Sequence, residues 1–467
     1  MNKQTIIVSM CAVALLSSCH IYTKYERPEQ LSVKGLYRDT ANVSTVLPGT
    51  AEEQAVDSTN FGNLPWKEVF TDGQLQALID TALTHNVDLL TAALNVKQAE
   101  AQLGAARLAF IPSLALTPSG TLSSWDGGKA SQIYSLPISS SWTVDLFGSL
   151  LNAKRGAQAQ LLQMKSYQQA VRTKLIANVA NSYYTLLMLD RQLTVTKGTA
   201  ELWKESVETM RKLKDVGQSN EASIASYEGN YLQVAASIPE LQRQIRETEN
   251  ALSLILGQAP QLINRSTMEA QQLPAKFTVG IPVQLLNNRP DVHQAEMNLA
   301  ASFYDTNKAR SAFYPSISLT GQYGWTNSAG SAIINPAKLL ANAVASLTQP
   351  IFANGKLTAQ LKVAKAQQEA AYLAFQQSVL SAGSEVSNAL SLYQASKEKC
   401  DLLEQRVIVS ERAADFTQKL FNLGNSSYLE VLTARQSLLS AKLNKVSDEF
   451  YKMQAIVNLY YALGGGR

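Results

Sequence analysis

NRPDVHQAEMNLAASFYDTNKARSAFYPSISL, residues Asn288 to Leu319, is the stretch that decides the fold, because a diverged copy lies 203 positions earlier in the chain. The residues shared by the two copies are Asp291, Ala295, Asn298, Ala309, Arg310, Ala312, Phe313, Pro315, Ser316 and Leu319, which fall on Asp88, Ala92, Asn95, Ala106, Arg107, Ala109, Phe110, Pro112, Ser113 and Leu116. Each copy predicts a helix that stops at a proline, after which the hydrophobic period changes from helical to alternating. The chain is therefore interpreted as a tandem duplication in which a helix leads into a strand, with Pro112 and Pro315 as the helix-to-strand joints.

Length alone would suggest roughly three domains. The internal repeat instead indicates one architecture that occurs twice in the chain. The predicted organisation is a signal peptide at residues 1–18, an extended segment at 19–65, a first repeat at 66–262, a linker at 263–286 and a second repeat at 287–467. Hydrophobic residues make up 46% of the chain and charged residues 17%, which is typical of an ordered protein. A net charge of +4 without a basic block gives no indication of nucleic-acid binding.

The first residues resemble a secretory signal peptide, with a charged start, an apolar run from Ile6 to Leu16 and small residues before Cys19. The run is too short to span a bilayer as a helix. Leu16-Ser17-Ser18-Cys19 also resembles a bacterial lipobox, which implies that Cys19 becomes an acylated N-terminus. An ordinary signal peptide that happens to contain a cysteine is the alternative.

Two hairpins are predicted from alternating sequence. After Pro112 the apolar residues alternate with small or hydroxyl residues up to Gly148, and the pattern returns after Pro315, with a less regular second strand around Leu339 to Phe352. One face of each strand is apolar and the other is rich in serine and threonine. The segment from Trp66 to Phe110, before the first hairpin, has a helical pattern.

A very long helical run follows each hairpin. Residues 149–214 and 355–421 contain no proline, so each could form a rod on the order of 100 Å long, as coiled coils do. Matching tips with Gly217-Gln218 and Gly424-Asn425 predict sharp reversals into two return helices. The repeat offset grows from 203 to 207 positions at the rods, which suggests small insertions between hairpin and rod.

A strand with one apolar and one polar face fits a soluble sandwich or a membrane barrel. The neighbouring rods have apolar seams of their own, so a barrel is favoured, and a barrel in a bilayer must have no open edge. Four strands cannot close, since transmembrane barrels begin at about eight. Two chains would give about eight strands and three about twelve, and three is favoured because an eight-stranded core is filled by side chains. The predicted fold class is an α+β membrane protein, with long helical-barrel coiled coils and a trimeric transmembrane β-barrel of four strands per chain, twelve in total.

Several motifs in this order resemble the signature of the TolC-like outer-membrane efflux proteins, in the lipoprotein branch that serves RND-type multidrug pumps. They are the stretch from Leu285 to Val292, Ala295-Glu296, Ala309-Arg310, Phe313 to Ser316, Gly324, Trp142 to Gly148, Gln349 to Gly355 and the second tip through Val431-Leu432. The resemblance covers Trp66 to Gly464. It implies a homotrimeric passive channel, lipid-anchored in the outer membrane of a Gram-negative bacterium and extending into the periplasm. Such a channel conducts drugs or other small toxic compounds from an inner-membrane RND-type pump, and a periplasmic adaptor opens its tip.

The same resemblance assigns the candidate site residues. Glu430 takes the position of a gate acid just after the second tip, while the next such position holds Thr433, which puts strong cation selectivity in doubt. Gly217, Gln218, Gly424 and Asn425 are the implied adaptor contacts, and Cys19 is the lipid attachment site. A solvated glutamate on a helix face is the alternative for Glu430.

Other functions are less well supported by the residues. A type I protein-secretion outlet shares the architecture, and a structural lipoprotein without a pore would share the rods. The three histidines are scattered and none lies near a cysteine, so neither a metal site nor a cofactor is expected. Asp126 and Asp145 have no histidine beside them, so an enzyme is not expected, and Cys400 is read as a reduced helix residue.

Overall fold

The computed structural model describes residues 22–28, 61–124, 126–128, 130–272, 288–326 and 338–466. Residues 1–18, Cys19 and most of the extended segment, with much of the predicted linker, lie outside the described residues. Contacts divide the chain into two compact units. The first consists of Met1–Leu31, Leu94–Ser166 and His293–Gln377, and the second of Ser32–Ala93, Tyr167–Val292 and Ser378–Arg467.

The main helices occur in pairs of equal length. A short α1 (Trp66–Val69) and α2 (Gly73–His85) come first. The pairs are α3 (Val87–Leu108) and α6 (Pro290–Ser311) of 22 residues, α4 (Ser149–Asp215) and α7 (Lys356–Asn422) of 67, and α5 (Glu221–Ile255) and α8 (Tyr428–Ala462) of 35. The offset between the partners is 203 positions for α3 and α6 and 207 positions for the other two pairs.

The strands of the first unit form one antiparallel sheet. They are β1 (Ser113–Leu116), β2 (Ser119–Ser123), β3 (Ser131–Val144), β4 (Ser316–Thr326) and β5 (Lys338–Thr348). The order is β1-β3-β4-β5, and β2 also pairs with β3. Among the described residues the four predicted strands are present, the first of them as two segments, β1 and β2, because Pro118 lacks an amide donor. Thr117 still donates its amide to the Pro137 carbonyl at 3.0 Å, which keeps β1 and β2 in line.

The cross-strand register places most of the apolar residues of the strands on one face, although Ile133, Leu340 and Val344 lie on the other. Leu116 lies opposite Ile138, Ile138 opposite Tyr323, and Tyr323 opposite Ala341. Many large members of this face are exposed: Leu114, for example, is 74% exposed and Leu347 69%. The opposite face carries hydroxyl pairs such as Thr117–Ser139 at 2.7 Å and Ser119–Ser135 at 2.6 Å. The sheet thus combines an uncovered apolar face with a polar one.

The second hairpin ends earlier than its sequence pattern predicts. β5 stops at Thr348 instead of continuing to Phe352, because Pro350 cannot donate to a strand partner and the Gln349 side chain donates to the Phe313 carbonyl at 3.1 Å instead. The sequence also predicted that the four extra residues of the second half lie between the hairpin and the long helix. This prediction was wrong. The connection between β2 and β3 has seven residues and that between β4 and β5 has eleven, so the additional four lie between the strands.

Gly324 of β4 lies opposite Pro137 in the middle of β3. A Cβ atom at Gly324 would lie 2.2 Å from the Leu136 carbonyl oxygen, whereas one at Gly321 in the same strand would lie 3.7 Å from its nearest neighbour, the Asn342 carbonyl oxygen. We expect Gly324→Ala to lower the stability of the sheet by about 1–3 kcal/mol, because two backbones must separate. Thermal unfolding of the purified protein in detergent measures the change. Gly321→Ala is the matched control, and equal melting temperatures for the two variants would contradict this packing.

The pattern predicts helix from Trp66 to Phe110, before the first hairpin. The structure divides this region into three helices, because two polar side chains interrupt it. Asp72 caps α2 by accepting the Gln74 amide at 2.8 Å. Asn86 accepts the Leu89 amide at 3.0 Å, and its side-chain amide donates to the Ile255 carbonyl at 2.9 Å. Side chains that satisfy free helix amides in this way start new helices.

Asp72 also joins the described part of the linker to α4. Its carboxylate accepts hydrogen bonds from Tyr183 at 2.7 Å, from Gln271 at 2.7 Å and from the Ser266 hydroxyl. Burial alone would raise the pKa of Asp72, but these hydrogen bonds outweigh it and the pKa is lowered. The segment before residue 273 is thereby held against the long helix.

Candidate functional site

Both tips reverse the chain through a glycine with positive φ. Gly217 has φ 76° and Gly424 has φ 78°. The next residue in each tip donates its amide back across the turn, Gln218 to Leu213 at 2.8 Å and Asn425 to Leu420 at 2.9 Å. A glycine in this conformation followed by such a hydrogen bond is the usual end of an α-helix. The four residues implied as adaptor contacts therefore lie in two turns of the same geometry.

Glu430 forms part of the cap of α8. Its amide donates to the Ser427 hydroxyl at 3.3 Å, and its carboxylate accepts the Ser427 amide at 3.1 Å and the Ser426 hydroxyl. This reciprocal arrangement is a capping box. Thr433, one turn on, donates its hydroxyl to the Leu429 carbonyl at 2.9 Å and is exposed like Glu430. One copy of the chain thus fixes the Glu430 side chain at the helix start and leaves it open to solvent.

The hydrogen bonds of the cap stabilise the charged form of the Glu430 carboxyl. The hydrogen bond from Ser426, and then that from the Ser427 amide, lower the pKa of this carboxyl below its ordinary value of 4.5. A lowered pKa means that the cap is at full strength above pH 4.5 and weakens only when the pH falls through the lower value of the folded protein. Glu430 therefore carries its negative charge at neutral and mildly acidic pH.

A cluster of apolar side chains lies close to both tips. It contains Trp203, Val207, Met210, Ile224, Tyr227 and Leu432. Arg435 of α8 lies over the Trp203 ring at 5.8 Å and donates to the Ser206 hydroxyl, to the Leu202 carbonyl at 3.4 Å and to the Gln418 side chain at 2.8 Å. Burial lowers the pKa of Arg435, and these partners are neutral groups. Arg435 thus connects α4, α7 and α8 just behind the tips.

The two predicted helix-to-strand joints have the same geometry. Pro112 and Pro315 each lie between the end of a helix and the first residue of a strand. At the first joint the Trp142 indole donates to the Phe110 carbonyl at 2.9 Å, and at the second Gln349 donates to Phe313. Trp142 within β3 and Gln349 directly after β5 therefore hold the residues that follow the helix in each half.

The described segment after Cys19 packs against α6. Arg27 forms two hydrogen bonds with Glu296, at 2.8 and 2.6 Å, and Glu296 is only 4% exposed. Tyr25 packs edge-to-face on Phe303 with 6.0 Å between ring centres, and its amide donates to the Tyr304 hydroxyl at 3.2 Å. Residues 22–28 thus form a strap that is held by a half-buried ion pair and an aromatic contact.

Membrane-spanning helices and metal-binding clusters are both absent from the described residues. Within those ranges, no helix is both long and apolar enough to cross a membrane. The same part of the chain contains no group of three or more histidine, cysteine, aspartate or glutamate side chains that could hold a metal ion.

Comparison with known proteins decides the family. The model of the family "Outer membrane efflux protein" matches residues 78–258 and 281–465. The chain belongs to the outer membrane efflux protein family. It is 29% identical to the cation efflux system protein CusC of Escherichia coli O6:H1, over 98% of each chain. It is 27% identical to the toluene efflux pump outer membrane protein TtgC of Pseudomonas putida, over 100% of this chain and 96% of TtgC.

Two further similarities agree with this assignment. The chain is 27% identical to the probable outer membrane lipoprotein SilC of Salmonella typhimurium, over 86% of this chain and 88% of SilC. The solved outer-membrane channel OprN matches with a TM-score of 0.83 and 28% identity, over 92% of this chain and 98% of OprN. The resemblance found in the sequence is confirmed, and this efflux protein is a channel of the outer membrane.

Sequence reasoning missed three features of this efflux protein, two of them near the tips. The capping box was readable, because Ser427 and Glu430 have the Ser-x-x-Glu spacing that marks a helix start. Arg435 had no local signal, because Ser206, Trp203 and Gln418 lie far from it in sequence. Asp145 was assigned no structural role from the sequence, but it caps α4 by accepting the amides of Leu150 at 3.0 Å and Leu151 at 2.7 Å.

Proposed function

We propose that three copies of the chain form a passive duct that carries small toxic compounds from an inner-membrane RND-type pump to the exterior. A periplasmic adaptor opens the duct at the tips, where it contacts Gly217, Gln218, Gly424 and Asn425. The uncovered apolar face of the sheet is the observation that carries this proposal. A face of this kind is stable in a bilayer, and the edges of the sheet must then pair with other copies because open edges are not tolerated in hydrocarbon.

The two halves of the chain contribute equivalent parts to the proposed assembly. The two repeats, residues 66–262 and 287–467, each supply one hairpin to the wall and one pair of long helices, and residues 263–286 link them. The polar strand face, with its hydroxyl pairs, lines the water-filled interior. No step of this transport requires catalysis or a cofactor, since the pump supplies the free energy.

The class of compound is set by the partner pump in this proposal. CusC is named for cation efflux and TtgC for toluene efflux, and the chain aligns over nearly its full length with both. A duct that serves either class needs a wide polar passage and no selective binding pocket. We infer that the channel passes what it receives and that substrate choice lies upstream.

Glu430 and Thr433 form the gate in this proposal. Three Glu430 carboxylates around a narrow axis repel one another and attract cations, as carboxylate rings do in other channels. In planar bilayers we expect the wild-type protein to conduct with a preference for cations, and Glu430→Gln to reduce that preference and alter the closed-state current. Glutamine keeps hydrogen-bonding oxygen for the cap while removing the charge.

Glu221 provides the control, because it is an exposed acid in the first turn of α5 and lies beside the other tip. Glu221→Gln should leave ion preference closer to wild type than Glu430→Gln does. Identical conductance and selectivity in the wild type and the Glu430 variant would remove Glu430 from the gate. A protein that never conducts, even as the Glu430 variant, would instead indicate a structural lipoprotein without a pore.

Cys19 is the proposed lipid attachment site, since it follows small residues at the end of the leader and precedes the strap by three positions. A cell grown with labelled palmitate is expected to transfer label to the wild-type protein and none to Cys19→Ser. Cys400→Ser is the control and should retain the label. Equal labelling of the wild type and the Cys19 variant would contradict lipidation at this position. The proposed barrel would then be the one remaining membrane anchor of the two that are proposed here.

A further inference from the structure

Basic side chains are concentrated at the four helix ends that adjoin the sheet. The two helical turns nearest the sheet in α3, α4, α6 and α7, with the connections to the strands, are called the basic belt and cover residues 101–112, 145–156, 304–315 and 349–363. All of these ranges belong to the first unit. The belt has two acids, Asp145 and Asp305, and seven basic residues, which are Arg107, Lys154, Arg155, Lys308, Arg310, Lys356 and Lys362.

The belt holds more positive charge than the chain as a whole. Seven positive and two negative charges give the belt a formal charge of +5, whereas all 467 residues together have +4, so the rest of the chain has a charge of −1. Two basic positions are repeated, because Arg107 corresponds to Arg310 at the offset of 203 and Arg155 corresponds to Lys362 at 207. The positive charge therefore occurs next to the sheet in both halves.

The charge of the belt is not neutralised within the chain. None of the seven basic side chains forms an ion pair with another described residue. Arg155 donates to a backbone carbonyl of the strap at 3.1 Å, and Arg310 donates to the side-chain oxygen of Asn307 at 3.0 Å. The Lys154 ammonium lies 5.8 Å from the centre of the Phe110 ring. The remaining four are exposed, and they are Arg107, Lys308, Lys356 and Lys362.

Exposed apolar side chains lie directly beside these charges. In the connection into α7, Ile351 is 96% exposed and Phe352 is 84% exposed. At the end of α3, Leu108 and Ile111 are 63% and 59% exposed, and Arg107 is the residue before Leu108. The uncovered apolar face of the sheet begins in the strands that adjoin these residues. The molecule therefore passes from an apolar sheet face to an apolar border and then to basic side chains without ionic partners.

A lipid leaflet presents the same order of chemistry, with hydrocarbon first and phosphate headgroups next to it. Basic side chains close to a membrane surface attract anionic headgroups, and the long stems of lysine and arginine can lie on apolar surface while the charge reaches the headgroups. An acidic soluble protein could pair with the charges, but it would leave the apolar border and the sheet face without a partner. The continuity of the apolar and basic surfaces therefore favours lipid.

We propose that the basic belt binds anionic phospholipid, of the phosphatidylglycerol type, in the leaflet on the helix side of the sheet. This contact fixes the depth at which the sheet lies in the bilayer, because the charges remain at the headgroups while the strands lie in hydrocarbon. The inference rests on the proposed membrane channel and adds the class of lipid that its helix ends recognise.

The association of lipid with the surface of the full-length protein tests this preference. The protein is reconstituted in phosphatidylcholine bilayers that contain a trace of spin-labelled phosphatidylglycerol or of spin-labelled phosphatidylcholine. Electron paramagnetic resonance gives the fraction of each label that is immobilised at the protein surface, and the readout is the ratio of the two association constants. The measurement is made at low salt and repeated at about 1 M salt, where charges are screened within about 3 Å.

Two fourfold variants differ only in where charge is removed. The belt variant is R107Q/K308Q/K356Q/K362Q, and the control is K174Q/K197Q/K397Q/R412Q, which changes exposed positions elsewhere on α4 and α7. Each loses three lysines and one arginine, so the formal net charge falls from +4 to 0 in both. The pairs R107Q/K308Q and K356Q/K362Q are also made separately, so that one of them still decides if the fourfold variant does not fold.

We expect phosphatidylglycerol to associate about twofold or more strongly than phosphatidylcholine with the wild type and with the control variant at low salt. The ratio should approach one for the belt variant, take intermediate values for the two pairs, and approach one for the wild type at high salt. A wild-type ratio near one, or equal ratios for the belt and control variants, would overturn the inference while the immobilised phosphatidylcholine still showed a lipid-facing protein. Protein that immobilises neither label would have no surface in the bilayer, and the proposed channel would then be wrong as well.

Discussion

Deletion of the gene for this chain is expected to raise the intracellular accumulation of at least one class of toxic compound several-fold. The physical reason is that a pump without an outer-membrane duct releases its substrate into the periplasm, from which the compound re-enters the cell. The strain must lack redundant ducts, and the compounds must include metal cations and apolar organic molecules, because one relative is named for cation efflux and another for toluene efflux. Uptake of the metals is measured by elemental analysis and that of the organic compounds by fluorescence.

Complementation separates the channel from indirect effects of the deletion. The wild-type gene should restore low accumulation, and a gene with Gly321→Ala should do so too, since that position has space for a methyl group. Unchanged accumulation of every compound would count heavily against an efflux duct. Loss of a secreted protein from the medium, with accumulation unchanged, would instead favour a type I secretion outlet.

Replacement of Arg289 by alanine is expected to produce the largest loss of stability of any single substitution considered. The Arg289 side chain is 3% exposed and donates to Asp291 at 2.9 and 2.5 Å, to Glu385 at 2.6 Å and to the Ala462 carbonyl at 3.2 Å. Burial alone would lower the pKa of Arg289, but the hydrogen bonds and charges of Asp291 and Glu385 outweigh it and raise the pKa. Arg289 therefore ties the start of α6 to α7 and to the end of α8.

Truncation at this position leaves two acids and a buried carbonyl without their donor. Breaking a fully buried ion pair by removing one partner costs about 3–5 kcal/mol, and the loss here should lie below that range because the Asp291 and Glu385 side chains are 40% and 46% exposed. Arg289→Lys should lose less, because lysine keeps the charge but cannot form the two parallel hydrogen bonds to Asp291. Denaturant unfolding of the purified protein, followed by circular dichroism, measures both changes.

Arg243 supplies the comparison, because it also pairs with two acids, Glu240 and Glu247, but on an exposed helix face. Exposed pairs of this kind contribute little, so Arg243→Ala should unfold close to wild type. If Arg289→Ala and Arg243→Ala had the same unfolding midpoint, the buried network around Arg289 would not hold the three helices together.

The sequence was informative wherever the structure depends on local pattern. The stretch from Asn288 to Leu319 predicted a helix, a proline and a strand, and α6 and β4 occupy that order. Glycine predicted both tip reversals, and the absence of proline predicted the two helices of 67 residues. These features follow from backbone preferences and hydrophobic period, which neighbouring residues determine.

The missed features depend on partners that are distant in sequence or on a single side chain. Arg289 and Glu385 are 96 positions apart, and Arg435 and Ser206 are 229 apart, so no local window contains either pair. Asn86 and Pro118 each interrupt an otherwise regular pattern, one by capping a new helix and the other by lacking an amide donor. The gate itself is harder still, because the proposed Glu430 ring exists only when several copies meet.

Electron microscopy of the purified full-length protein in detergent tests the central claim most directly, since it shows how many copies meet and what covers the apolar face of the sheet. The expected result is a closed ring of three copies whose strands form one continuous barrel, with the apolar face outward in the detergent belt. Single chains, or a sheet whose apolar face is covered by another part of the same chain, would contradict it.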